Sequence, residues 1–194
     1  MKIISIAGGS GSGKSTIANL LYQKYKGECV VFSLDDYYFD KDQQIQTNGF
    51  CNFDHPGAID YKLLVRNINE LKVEGSTLRP SYSFKDRCRV GFLKVKSGKF
   101  LIVEGLHSIT LLKDICDMSI FVKVDLDLSL LRRINRDIIE RERSIESITE
   151  QYIKDVRPSY LRYIKDQEAL SNATVQNNKS LNDLTLLIEQ HLEL

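Results

Sequence analysis

The chain has 194 residues, 42% hydrophobic and 27% charged, with 27 Lys and Arg against 26 Asp and Glu. That length and composition suit one soluble globular domain with a sizeable core. A net charge of +1 leaves no basic footprint for a nucleic-acid backbone, and no apolar run is long enough to span a membrane.

The first run, "KIISIAGG", is β-rich and stops at glycines; "KSTIANLLYQKY" follows with Ile17, Leu20 and Leu21 at helical spacing. "CVVFSLDD" is a second strand ending in carboxylates. "DYKLLVRNINELKV" predicts a helix with Asp60 as its N-cap. "STLRPSYSF" and "RVGFLKVKS" predict a small hairpin, spanning about residues 76–97, outside the main sheet. "FLIVEG" and "SIFVKVD" are continuous apolar strands of the kind buried on both faces. The segment "DLSLLRRINRDIIERERS", about residues 127–146, carries an apolar helical stripe of Leu128, Leu131, Ile134 and Ile138. "SITE", from Ser147 to Glu150, is a capping-box pattern that opens a further helix, which Arg157-Pro158 should break or kink. "ATVQN" predicts a last strand and "LNDLTLLIEQHL" a last helix. Strands alternating with helices predict an α/β fold: a mostly parallel sheet covered on both faces, in one domain over residues 1–194. The four cysteines show no metal-ligand spacing and read as small half-buried residues in a reducing cytosol, so a cytoplasmic protein is expected.

"GGSGSGKST" fits G-x-x-x-x-G-K-[ST] and lies after a strand and before a helix. Gly8, Gly9, Ser10, Gly11, Ser12 and Gly13 form a turn whose N–H groups can point at phosphate oxygens. The helix that follows adds the positive end of its dipole. Lys14 can reach the β- and γ-phosphates, the Ser15 hydroxyl can ligate Mg²⁺, and Thr16 completes the motif. The pattern points to a bound nucleoside triphosphate and is silent about its use. The guanine motif of GTPase switches and the Asp-Glu pair of motor ATPases are both missing.

A small-molecule kinase needs a carboxylate at the γ-phosphate, an acceptor pocket and mobile cations. "SLDDYYFD" places Asp35 and Asp36 at the mouth of the second strand, and alternation lets only one of them face the ligand. Arg133, Arg136, Glu140 and Arg143 share one helix face, with Arg141 beside it; the competing reading is a solvated face with the i,i+4 pairs Arg133–Asp137 and Arg136–Glu140. "NGFCNFDHPGAID" clusters an aromatic, a carboxylate, a histidine and a proline. Pro56 holds the backbone extended at His55, where a structural hydrogen bond is expected.

In order, "GGSGSGKST", "SLDDYYFD", "NFDHPGAID", "PSYSFKDRCR", "IVEGLHSI", "RRINRDIIERERS" and "QYIKDVRPSY" resemble the uridine kinase (uridine–cytidine kinase) family up to about Arg162. The resemblance implies ATP-dependent phosphorylation of the 5′-hydroxyl of uridine or cytidine by a P-loop kinase fold with a helical lid, in a homo-oligomer, commonly a tetramer. It makes Asp35 the catalytic base and Asp54 the carboxylate that binds ribose hydroxyls. Phe53 and Tyr82 become walls of the nucleoside pocket, with Tyr38 beside them. Arg133 and Gln151 match substrate-side residues. Arg136, Arg141 and Arg143 match lid and phosphate-binding arginines, and Ser15, Asp35 and Glu104 the magnesium site.

Three positions depart from that pattern. Arg87 stands where a base-reading histidine is usual; it could face pyrimidine carbonyls or favour an anionic acceptor. Glu142 replaces a glycine between the lid arginines, and Asp36 a common serine. A kinase for a sugar phosphate, as in phosphoribulokinase-like enzymes, and a non-catalytic nucleotide-binding protein remain the alternatives.

Overall fold

A computed structural model describes residues 1–178. Five parallel strands form its centre: β1 (Lys2–Gly8), β2 (Cys29–Ser33), β5 (Phe100–Glu104), β6 (Met118–Lys123) and β7 (Ala173–Gln176), in the order β2-β5-β1-β6-β7. Parallel strands need crossover connections, and α1 (Lys14–Lys24), α3 (Tyr61–Val73), α4 (Ser108–Leu112) and α5 (Leu126–Ile139) fall within them.

Strand parity sorts the core. Ile3, Phe32, Leu101 and Val103 point to one face and pack on Leu64, Ile68 and Leu71 of α3. Ile4, Ile6, Ile102, Ile120 and Val122 point to the other and pack on Ile17, Ala18 and Leu21 of α1. Burial on both faces is why these strands read as unbroken apolar runs. The strand "ATVQN" is β7, which pairs with β6. The last predicted helix, Leu181–Leu192, lies outside the described residues.

The hairpin of β3 (Ser76–Ser83) and β4 (Cys88–Lys96) forms a separate two-stranded sheet. Carboxylates tie it to the body. Asp36 accepts from Arg79 at 2.5 Å and from the Tyr82 N–H at 3.3 Å, Asp40 from the Arg89 N–H at 2.9 Å, and Asp60 from the Arg89 guanidinium at 3.0 Å. Asp60 also caps α3 by accepting from the Leu63 N–H, as its position predicts. A further helix, α2 (Lys41–Asn48), shows little in the sequence because it buries only Gln44.

Two helical expectations are corrected. The helix α6 (Ile145–Gln151) opens at Ser144, whose hydroxyl accepts from the Ser147 N–H, so Ser147 lies inside it. The extended backbone at Ser144 lets its side chain reach that N–H. Pro158 does not end the helix. Wide π-type turns at Tyr152–Val156 and Tyr160–Ile164 flank it, and Val156 and Arg157 keep helical angles. A widened turn absorbs the missing proline N–H and its ring.

The stripe of α5 is also reversed. Leu131 and Ile138 are exposed, and the buried residues are Ser129, Arg133 and Asp137. The inward face of α5 carries charge because it lies against the glycine loop.

Candidate active site

The glycine loop joins β1 to α1 with Gly11 and Gly13 in left-handed backbone, at φ 79° and 92°. Gly13 is the N-cap of α1 and offers no side chain, so no cap occupies the first N–H groups of that helix. Such a turn presents donors and a dipole to an anion. The loop is packed tightly: a Cβ on Gly11 would lie 2.3 Å from the Ser129 carbonyl oxygen of α5. Gly11→Ala is therefore expected to lower MgATP affinity at least about tenfold, since left-handed backbone alone costs a non-glycine residue about 1–2 kcal/mol. Calorimetric titration with the nucleotide checks this; wild-type affinity would contradict it.

Across from the loop, β2 ends at Ser33 and a 3-10 turn, Leu34–Tyr37, carries both carboxylates. They diverge, though not by strand alternation: the strand expected to end in them stops at Ser33, and the tight turn sends the two side chains apart. Asp36 turns to Arg79 and the Tyr82 N–H and anchors the hairpin. Asp35 faces the crevice. Its charge is felt at Glu104, Asp54, Tyr38 and Arg141, and it engages the Tyr38 hydroxyl. The loop and this carboxylate meet through Glu104, which accepts from Ser33 at 2.6 Å and from Ser15 at 3.0 Å. Ser33 is a participant that sequence reasoning missed; its signal was a hydroxyl at the strand end.

Burial pushes the Glu104 carboxyl up. The like charge of Asp35 adds to this, while Lys14 and the two hydroxyls oppose it. Two carboxylates and a hydroxyl around one crevice form a hard-oxygen donor set. That is the set Mg²⁺ takes when phosphate and water complete its shell.

The segment Asn52–Pro56 closes the crevice. Asp54 is 4% exposed, its own N–H is held by the Asn52 side chain at 2.9 Å, and burial raises its carboxyl against the pull of Arg133. His55 accepts from the Gly57 N–H through Nδ1 at 3.0 Å, the structural role expected of it. The less obvious histidine is His107, 2% exposed, whose Nε2 donates to the Asp54 carbonyl at 3.0 Å. A carbonyl only accepts, so the neutral ring carries its proton on Nε2. Burial lowers the His107 pKa to about 4, against the upward pull of that hydrogen bond. The unfolded chain takes up this proton near the ordinary value of 6.5, and the native protein does so only near 4. The stabilising contribution is therefore complete above pH 6.5 and is lost as pH falls from there towards 4, by about 3 kcal/mol. Urea unfolding at pH 7.5 and 5 should show a steeper loss for the wild type than for His107→Gln; equal slopes would contradict this.

Aromatic rings line the wall beside Asp54. Tyr38 meets Phe53 at 5.1 Å and Tyr82 at 5.6 Å between centroids, and Phe53 meets Tyr82 at 6.1 Å, all edge-on. Among the described residues the buried Tyr82 hydroxyl has no hydrogen-bond partner, as a ligand-facing group would not. Phe84 extends the wall at 5.8 Å and stacks under the Arg141 guanidinium at 4.0 Å. Phe84 lies within "PSYSFKDRCR", but nothing in that segment gave it a role. Arg87 sits in the hairpin turn with left-handed backbone, φ 55°, and its carbonyl accepts from the Lys41 N–H at 3.2 Å. Its side chain is exposed, and its charge is felt at Tyr82, Cys51 and Arg143.

The cations converge from α5 and the turn after it. Arg133, 6% exposed, donates to the Ser10 hydroxyl at 2.8 Å and to Gln151 at 2.9 Å. Gln151 also accepts from Arg143 at 2.6 Å. The i,i+4 pair Arg133–Asp137 forms at 3.7 Å, whereas Arg136 turns to Asp137 at 2.8 Å rather than to Glu140. Glu142 has φ 52°, which explains why glycine suits the position.

A profile of the Phosphoribulokinase / Uridine kinase family matches residues 3–182. The chain belongs to that family. The uridine kinase of Clostridium novyi (strain NT) is 34% identical over 203 residues, covering 98% of this chain and 96% of that protein. The uridine kinase of Staphylococcus aureus (strain JH9) is 36% identical over 184 residues, covering 92% and 88%. In fold, the chain is similar to D-glycerate 3-kinase from Cryptococcus neoformans (TM-score 0.68, 17% identity, 90% of this chain and 86% of that one). It is also similar to phosphoribulokinase from Rhodobacter spheroides (TM-score 0.64, 19% identity, 90% and 69%). Phosphoribulokinase / uridine kinase family membership thus agrees with a glycine loop faced by an acceptor pocket.

Proposed function

We propose that this kinase transfers the γ-phosphoryl of ATP to the 5′-hydroxyl of uridine or cytidine, as one catalytic unit. The observation that carries the reading is the convergence of the glycine loop, Asp35 and the Asp54–aromatic wall on one crevice. The phosphates lie on Gly8–Thr16, with Lys14 reaching between them. The nucleoside lies against Phe53, Tyr38 and Tyr82, and Asp54 accepts from the vicinal ribose hydroxyls. Asp35 takes the 5′-hydroxyl proton as that oxygen attacks the γ-phosphorus in line and ADP leaves. Arg136, Arg141 and Arg143 face the equatorial oxygens, while Arg133 and Gln151 hold the acceptor side. Ser15, Asp35 and Glu104 would hold Mg²⁺, which when bound would neutralise phosphate charge. The hairpin serves as the acceptor wall and α5 with its following turn as the lid, which excludes water from the transferring group.

Arg87 favours a second reading. An always-charged donor at the pocket rim also suits an anionic acceptor such as a sugar phosphate. ADP formation from MgATP with uridine, cytidine and sugar phosphates in parallel separates the two; no turnover with either nucleoside removes the first. The exposed apolar residues of α5, Leu131, Ile138 and Ile139, support self-association, and by resemblance a tetramer. Among the described residues no helix is long and apolar enough to cross a membrane; action in the cytoplasm is proposed through the resemblance.

A further inference from the structure

Asp137 is 0% exposed, and four guanidinium groups meet its carboxylate. Arg136 lies at 2.8 Å, Arg141 at 3.4 Å, Arg143 at 3.5 Å and Arg133 at 3.7 Å. Among the described residues it is the sole carboxylate in ion-pair contact with any of them. Four like charges confined around one point repel each other, and one opposite charge at their centre is what lets them stay together. The backbone reinforces the arrangement, since the Arg143 N–H donates to the Asp137 carbonyl at 3.1 Å and folds the turn back onto the helix. Gln151 then clips Arg133 to Arg143 from the other side, and Ser147 accepts from Arg143 at 2.9 Å.

The cluster is placed with equal definition. Asp137 shares the buried stripe of α5 with Ser129 and Arg133. Ser129 abuts Gly11 of the glycine loop, and Arg133 reaches Ser10. One carboxylate against four guanidinium groups leaves an excess of positive charge beside the phosphate loop. The ion pairs therefore do not cancel the cations; they collect them where an anion would be received. The arginine pairs hold the Asp137 carboxyl below the ordinary range even though burial pushes the other way.

We infer that Asp137 is the positioning residue of the transfer arginines: it holds them in place before the triphosphate arrives, so the transition state meets an arrangement already formed. The inference rests on the proposed phosphoryl transfer. Asp137 itself touches neither substrate.

Asp137→Asn is expected to lower kcat about 100-fold, the scale of losing preorganised donors, while KM for the acceptor, which Arg133 and Gln151 help to hold, rises by no more than about tenfold. Asp137→Glu keeps the charge but moves it by one methylene, and is expected to lose five- to tenfold in kcat with little change in Tm. A purely structural residue would lower Tm and the active fraction but leave kcat per folded molecule unchanged. It would also act additively with Arg143→Gln, whereas the positioning role makes the double variant no worse than Asp137→Asn alone. Affinity for a non-hydrolysable ATP analogue with Mg²⁺ gives a readout free of any acceptor and is expected to fall about tenfold in Asp137→Asn. Wild-type protein that binds the analogue but phosphorylates no nucleoside counts against the proposed function and leaves the analogue comparison standing. Where Asp137→Asn does not fold, the glutamate variant decides. Wild-type kcat and analogue affinity in the folded Asp137 variants would overturn the inference.

Discussion

Asp35→Asn should lower kcat by about 100- to 10,000-fold, the range associated with losing a positioned general base. Asparagine matches aspartate in shape and can keep the engagement with Tyr38, so the turn at Leu34–Tyr37 should survive. The bond from the Asp35 N–H to the Ser33 hydroxyl, at 3.4 Å, belongs to the backbone and does not depend on the side chain. What disappears is the anionic oxygen proposed to take the 5′-hydroxyl proton; the amide oxygen in its place still accepts a hydrogen bond but is too weak a base to remove the proton. In the proposed arrangement the phosphates bind on the glycine loop and Asp35 is one of three residues beside Mg²⁺, so KM for MgATP should rise by no more than about tenfold, and the larger loss should fall on the chemical step. Steady-state kinetics with both substrates varied test this. A kcat near that of the wild type would remove Asp35 from its proposed role, and a loss confined to KM would recast it as a binding residue.

The second large effect concerns the sugar. A buried carboxylate that grips two hydroxyls loses both its partner and its compensation for burial when one hydroxyl is missing. Asp54 is 4% exposed, and its carboxyl is raised by burial, so this cost should be high. The wild type is expected to favour uridine over 2′-deoxyuridine by about 10,000-fold in kcat/KM, the low end of the range for sites built to bond a hydroxyl. Asp54→Ala should reduce that ratio to about 10, mainly by raising KM for uridine, because removing the side chain removes the penalty together with the grip. The main-chain contact with His107 uses the Asp54 carbonyl and remains available to the variant. A preference unchanged by the substitution would mean that the ribose is read elsewhere.

Physical reasons separate what was legible in the sequence from what was not. The glycine loop was legible because left-handed backbone at Gly11 and Gly13 and close approach at Gly11 demand that residue type. Four of the five parallel strands were legible as apolar runs because their side chains are largely buried on both faces; the edge strand β7 showed instead as an alternation, with Ala173 and Val175 buried and Thr174 and Gln176 exposed. The helix α2 was not, since it buries only Gln44 and has no apolar period to find. The reversed stripe of α5 shows the limit of hydrophobic periodicity, which finds a helix but assumes that its inward face is apolar. Asp137 was read only as one partner in a helical ion pair, because spacing along one helix cannot reveal that Arg141 and Arg143 return to it from the following turn.

By itself, the sequence determined the alternation of strands and helices, the phosphate loop and the residue types a phosphoryl acceptor site requires, because each is set by local geometry and spacing. Tertiary structure alone decided that Asp35 faces the crevice while Asp36 holds the hairpin. It also seated His107 beneath Asp54 and drew four arginines to one buried carboxylate. Those relations join residues that are distant in the chain or lie across a turn, and only packing fixes which of several compatible partners each charge takes.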